Sequence, residues 1–126
     1  MTIVLRIVLG LLGVMFVFIG MQFLFNPVTM GADFGLQPIG NGGLSTIRAD
    51  MTAFFWVAGG ALLIGAWTQR AALFYVTAAL MGITLAGRCL SLVLDGSYEG
   101  FAAPMVVEGL TVALCLVAIK RMSAKG

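Results

Sequence analysis

From Ile3 to Phe25 the chain runs through 23 residues with a single charged side chain, Arg6, and stops at Asn26-Pro27. Proline disfavours helical geometry in its predecessor, so the run closes there as one helix, and about 20 apolar residues are what a helix needs to cross a bilayer. A cleaved secretory signal has an apolar stretch of only ~7 to 15 residues and an A-x-A-like site. No alanine occurs before Ala32, so the run reads as an uncleaved span.

The rest of the chain agrees with that opening. Of 126 residues 61% are hydrophobic and 10% charged, with a mean hydropathy of +1.10. Soluble domains carry ~25% charged residues, and seven basic and five acidic side chains cannot cover a water-facing surface. A soluble enzyme is excluded. There is no histidine, hence no imidazole base, no His metal ligand and no Ser-His-Asp arrangement. Cys89 and Cys115 form no CxxC pair and sit at different depths in apolar segments, so free thiols are expected, with no metal site and no cofactor. The net charge of +2 comes mostly from Lys120, Arg121 and Lys125, too small a cluster for nucleic acid and suited to a cytoplasmic membrane flank.

Three further apolar stretches follow, giving an all-α polytopic integral membrane four-helix bundle: residues 1–126 as one transmembrane domain with spans at about 3–25, 46–67, 71–94 and 101–119. Between the first two, Val28 to Leu36 fits one short interfacial helix, and Gln37-Pro38 and Gly40-Asn41-Gly42-Gly43 read as turns. Thr68-Gln69-Arg70 is a tight turn, Asp95 to Gly100 a polar one, and Pro104 is tolerated in the first turns of the last helix. Arg6, Arg70, Lys120, Arg121 and Lys125 share one side, while Asp33, Asp95 and Glu99 lie on the other. The positive-inside rule then places both termini in the cytoplasm of a multi-pass protein of the bacterial inner (plasma) membrane.

Arg48 and Arg88 do not fit that charge count. At 1.5 Å per residue, Arg88 and Glu108 each lie ~10 Å below the same end of their helices, with Gln22 ~6 Å deep and Arg48 and Asp50 at the start of the second span. At 100° per residue, Thr77, Thr84, Arg88, Ser91 and Asp95 fall within about 60° on the third span. Met105, Glu108, Thr111 and Cys115 form a stripe on the fourth, and Met15, Phe18, Gln22 and Asn26 one on the first; all three are expected to face the interior. Arg48 and Asp50, about 160° apart, cannot both do so on an ideal helix. Ala78, Gly82 and Ala86 on the third span, and Ala61 and Gly65 on the second, are expected packing surfaces. Trp67 and Tyr98 suit interfacial anchors at opposite faces.

Ionisable groups at this depth cost ~2.5 to 3.5 kcal/mol each on insertion scales, so they must be paired. The sequence implies a layer in which Arg88 bonds Glu108, with Gln22, Arg48, Asp50, Ser91 and Asp95 completing it. Such a layer is either a clasp that fixes helix register or a functional site. Asp50 also suits a helix's first turn and Asp95-Gly96 a plain turn.

The element Gly87-Arg88-Cys89-Leu90-Ser91-Leu92-Val93-Leu94-Asp95-Gly96, preceded by Ile47-Arg48-Ala49-Asp50 and followed by Glu108, resembles the DUF4345 family of small four-helix bacterial membrane proteins, with a looser kinship to DoxX-like bundles. The family pattern has a glycine pair soon after the Arg-Ala, where this chain has Met51-Thr52-Ala53 and its Gly59-Gly60 comes later. The resemblance implies the fold and points to Arg48, Arg88, Asp95 and Glu108; it names no activity.

Two functions fit these residues. One is a binding or accessory protein that holds a membrane lipid or lipophilic small molecule, or docks to other membrane subunits. The other is an intramembrane isomerase, cyclase or epoxide-opening enzyme, with Glu108 or Asp50 as acid or base and Arg88 holding an oxygen. A cavity beside Arg88 and Glu108 would separate either from a clasp, in which every charge is satisfied and no void remains. A proton pathway is disfavoured, because no charged chain continues through the cytoplasmic half.

Overall fold

The computed structural model describes residues 1–125, with side chains through Ser123, so that of Lys125 lies outside the described residues. The described chain is all-α: α1 (Ile3–Phe25), α2 (Pro27–Asp33), α3 (Gly40–Thr68, with a π turn at Ile47–Met51), α4 (Ala71–Asp95) and α5 (Ala102–Lys125). Four of these five, all but α2, are long and apolar enough to cross a membrane.

Local chemistry sets the ends. Thr2 caps α1 by accepting from the Leu5 amide at 3.3 Å, and α2 begins with Pro27 in its first turn, where a missing N–H costs nothing. Gln69 adopts a left-handed conformation, φ 55°, and its amide closes α3 on the Gly65 carbonyl at 2.8 Å. Gly96, at φ 92°, ends α4 with its amide on the Leu92 carbonyl at 3.2 Å.

Two boundaries differ from the sequence expectation. The Gly40-Asn41-Gly42-Gly43 segment is helical, so α3 starts at Gly40 rather than near residue 46. The Ile39 carbonyl accepts from the Gly43 amide at 3.2 Å and the Gly42 carbonyl from Thr46 Oγ1 at 3.0 Å, while Pro38 packs against bare Gly43. At the other end, α5 continues past Ile119 through the exposed Lys120 and Arg121, residues with good helix propensity.

The bundle is two closely packed pairs, α1 on α3 and α4 on α5, joined by α3 against α4; α1 and α5 touch very little. Leu9, Phe16 and Phe23 of α1, Phe55, Ala58 and Leu62 of α3, Phe74 and Met81 of α4, and Cys115 and Ala118 of α5 form the core. The buried face of α1 is therefore Leu9, Gly13, Phe16, Gly20 and Phe23, not the expected Met15, Phe18, Gln22 and Asn26, of which Met15, Phe18 and Asn26 are exposed. Close backbone approach decides the face: a Cβ on Gly13 would lie 2.8 Å from the Gly59 carbonyl oxygen, and one on Gly59 would lie 2.7 Å from that of Gly13. The small residues of α3, Ala61 and Gly65, are buried as expected. On α4 Ala78 packs against the core, but nothing lies within 4 Å of a Cβ placed on Gly82, and Ala86 is exposed.

Candidate functional site

The α4–α5 pair carries the ion pair. The Arg88 guanidinium donates through Nε to both Glu108 carboxylate oxygens, a close contact to Oε1 and 3.1 Å to Oε2. Helix geometry brings them together: Arg88 lies seven residues before the end of α4 and Glu108 six after the start of α5, so both sit at about the same level. The Glu108 side chain is 7% exposed and that of Arg88 30%. Glu108 sits deep between the helices, and the arginine reaches it from a more open position. It is the one side-chain ion pair among the described residues.

Beside the pair lies a half-open chamber of about 250 Å³ whose wall comes from all four long helices. Met15, Phe16 and Ile19 contribute from α1, Phe54 and Phe55 from α3, Met81, Thr84 and Arg88 from α4, and Ala103, Pro104, Val107 and Glu108 from α5; Phe34, just after α2, completes the wall. The surface is almost wholly apolar. Phe55 organises one side of it, with ring centroids 5.2 Å from Phe54, 5.8 Å from Phe34 and 6.0 Å from Phe16. Thr84 turns its hydroxyl to the Leu80 carbonyl of its own helix at 2.7 Å, so Arg88 and Glu108 supply the chamber's charge.

A second, wider cavity of about 650 Å³ adjoins the first at Phe34, Arg88 and Pro104, which line both. Its remaining wall is Ala32, Asp33, Gly35, Tyr98, Glu99 and Gly100, from the end of α2 and the α4–α5 turn. Arg88 thus stands at the junction of an apolar chamber and a polar vestibule.

The wider polar layer expected from sequence is not assembled. Ser91 donates to Asp95 within α4 at 2.9 Å, and that pair lines neither cavity. Gln22 accepts from Asn26 Nδ2 at 3.4 Å, one turn away on the face of α1 beside the loop. Arg48 and Asp50 are both exposed, on the π turn of α3. The ideal-helix angle between them does not apply there, because a π turn carries an extra residue per turn. Thr77 and Thr111 are buried, bonding the carbonyls of Ala58 and Val107 at 2.8 and 2.7 Å. Arg6, expected only as a flanking charge, donates to the carbonyls of Ala66 at 2.9 Å and Trp67 at 3.3 Å and so caps the C-terminal end of α3. Cys89 and Cys115 are free thiols.

Sequence reasoning reached Met15, Thr84, Arg88 and Glu108 of the chamber wall but missed its aromatic side. Its signals were the Phe54-Phe55 step, with three residues between it and the Arg48-Ala49-Asp50 segment, and the small Ala102-Ala103-Pro104 entry to α5.

Among protein families, the domain of unknown function DUF4345 matches residues 4–119. No curated protein and no solved structure matches the chain.

Proposed function

Taking as premise that the chain belongs to the DUF4345 family as a small multi-span membrane protein, we propose that it binds an amphipathic molecule, with an apolar tail in the chamber and a polar head at Arg88. One observation carries this reading: an apolar cavity ends at an arginine that is only partly spent on its carboxylate partner. A structural clasp would leave no void beside the pair. Acid–base catalysis needs a carboxylate able to exchange a proton with substrate, whereas Glu108 gives both oxygens to Arg88 and Asp50 lies outside the chamber. Binding is therefore favoured over the isomerase, cyclase or epoxide-opening reading. Docking to other membrane subunits is compatible with it.

Native mass spectrometry of protein extracted in mild detergent tests the proposal. A retained lipid or lipophilic adduct is expected, and Val107→Trp, which fills the chamber, removes it. Equal adducts in both proteins would overturn the reading.

We also propose that the vestibule faces outward and both termini face the cytoplasm of a bacterial plasma membrane. In support, Arg6, Arg70, Lys120 and Arg121 lie at the terminal end of the bundle and Asp33, Asp95 and Glu99 at the vestibule end. An impermeant thiol reagent applied to intact cells should label Ser97→Cys and spare Ser123→Cys; the reverse pattern would invert the topology.

A further inference from the structure

The charges around Arg88 define the head group more narrowly. Arginine has five N–H donors in a planar fork. Arg88 uses Nε on Glu108, and among the described residues its Nη1 and Nη2 donate to no side chain or backbone oxygen. Neither is a buried atom lacking a partner, so both are accessible, and Arg88 itself lines both cavities. Four accessible N–H donors thus belong to a side chain that stands where chamber and vestibule meet.

An anion alone is a poor occupant. Arg88 and Glu108 cancel as a pair, which leaves Asp33 and Glu99 as the formal charges of the vestibule wall. A carboxylate or phosphate head would gain the guanidinium donors and then face two like charges. A lone ammonium would meet the carboxylates and leave the donors unmatched. Both requirements are met by a head that carries its anion nearer the tail and its cation farther out.

The order of groups along the site matches such a molecule. Passing outward come the apolar wall of Phe16, Ile19 and Val107, then Arg88, then Asp33 and Glu99. The N-terminal end of α5 also lies here, with Gly100 and Pro104 in the vestibule wall. Building on the binding function above, we infer that the ligand is a zwitterionic membrane phospholipid: acyl chain in the chamber, phosphodiester on the unused Arg88 donors, and ammonium between Asp33 and Glu99.

The test titrates detergent-solubilised full-length protein with phosphatidylethanolamine and, with matched chains, phosphatidylglycerol, which keeps the phosphodiester and lacks the ammonium; occupancy is read by native mass spectrometry. Two partly exposed charge contacts predict about fivefold to tenfold tighter binding of phosphatidylethanolamine. The double variant Asp33→Asn/Glu99→Gln should erase the preference while both lipids still bind. Equal affinities in the native protein, or a preference that survives the double variant, would overturn the zwitterion inference. Val107→Trp separates this from failure of the underlying reading. If it abolishes binding of both lipids, the chamber holds the tail whatever the head-group result; if it abolishes neither, the binding function itself falls. An excess of glycerophosphoethanolamine, the same head without chains, should not displace the lipid, and displacement would overturn the assignment to a membrane lipid.

Discussion

The two helix pairs of this bundle are held by opposite means. Between α1 and α3 the contact is backbone on backbone: Gly13 and Gly59 face each other with no room for a methyl group. Trp56 lies over Gly20 and donates to the Val17 carbonyl at 3.1 Å, and Thr52 donates to the Gly20 carbonyl at 3.2 Å. Between α4 and α5 the glycines are loose. A Cβ on Gly109 would meet only Leu85, at an ordinary 3.7 Å, and the polar tie is the Arg88–Glu108 pair. A pair closed by glycines has no space for a ligand. The pair tied by long charged side chains brings its charge to the seam between the two pairs, where all four long helices wall the chamber.

The largest expected effect comes from breaking the ion pair. Removing one partner of a buried pair costs ~3 to 5 kcal/mol, while replacing both with apolar residues is often near neutral. Arg88→Leu strands a carboxylate whose side chain is 7% exposed, whereas Glu108→Leu leaves an arginine that can swing toward the vestibule. Arg88→Leu should therefore lower the melting temperature in detergent more than Glu108→Leu, and the double Leu variant should recover much of the loss. Additive losses in the double variant would mean the two residues do not support each other. A recovered double variant that no longer retains the amphiphile would place the pair in the binding site rather than in the scaffold alone.

Next comes the glycine contact. In Gly59→Ala the new methyl group meets the Gly13 carbonyl oxygen at 2.7 Å and Val17 at 2.9 Å. Backbone cannot yield as a side chain does, so α1 and α3 must separate, at about 1 to 3 kcal/mol. Reversible unfolding in mixed micelles reads that loss, and an unchanged midpoint would show that the pair is not set by close approach.

A smaller effect concerns the link between the pairs. Thr77 of α4 donates to the Ala58 carbonyl of α3 at 2.8 Å in a fully buried position. Interhelical side-chain hydrogen bonds in membrane proteins average about 0.6 kcal/mol, so Thr77→Val, nearly the same shape, should cost about that much. A loss as large as that of Arg88→Leu would make this joint, rather than the ion pair, the principal polar tie of the bundle.

What the sequence disclosed follows the same division. Arg88 and Glu108 could be matched because both are counted along regular helix from one short turn, so depth arithmetic holds. Arg48 and Asp50 could not be placed, because nothing in Ile47-Arg48-Ala49-Asp50-Met51 marks a π turn and the angular count assumes a regular helix. The inner face of α1 was misread through its polar residues; Gly13 and Gly20 carried the information, and it became readable only once Gly59 was known to lie opposite Gly13. The chamber was hidden for a related reason. It depends on α1 and α5 standing apart, a property of how two pairs meet that no single helix encodes.

The smallest effect has the opposite sign and sharpens the contrast most. A methyl group on Gly82 of α4 would have nothing within 4 Å, although this glycine belongs to an Ala-Gly-Ala stripe spaced like a packing surface. The same glycine-to-alanine change that separates α1 from α3 at Gly59 meets no atom here and removes a residue that disfavours helix by roughly 0.8 to 1 kcal/mol relative to alanine in water. Gly82→Ala should therefore leave the unfolding midpoint unchanged or raise it slightly, with the ion pair and the retained amphiphile unaffected. A drop comparable to that of Gly59→Ala would show that the α4 stripe is closely packed after all, and the distinction between a glycine-closed pair and an ion-tied pair would fail.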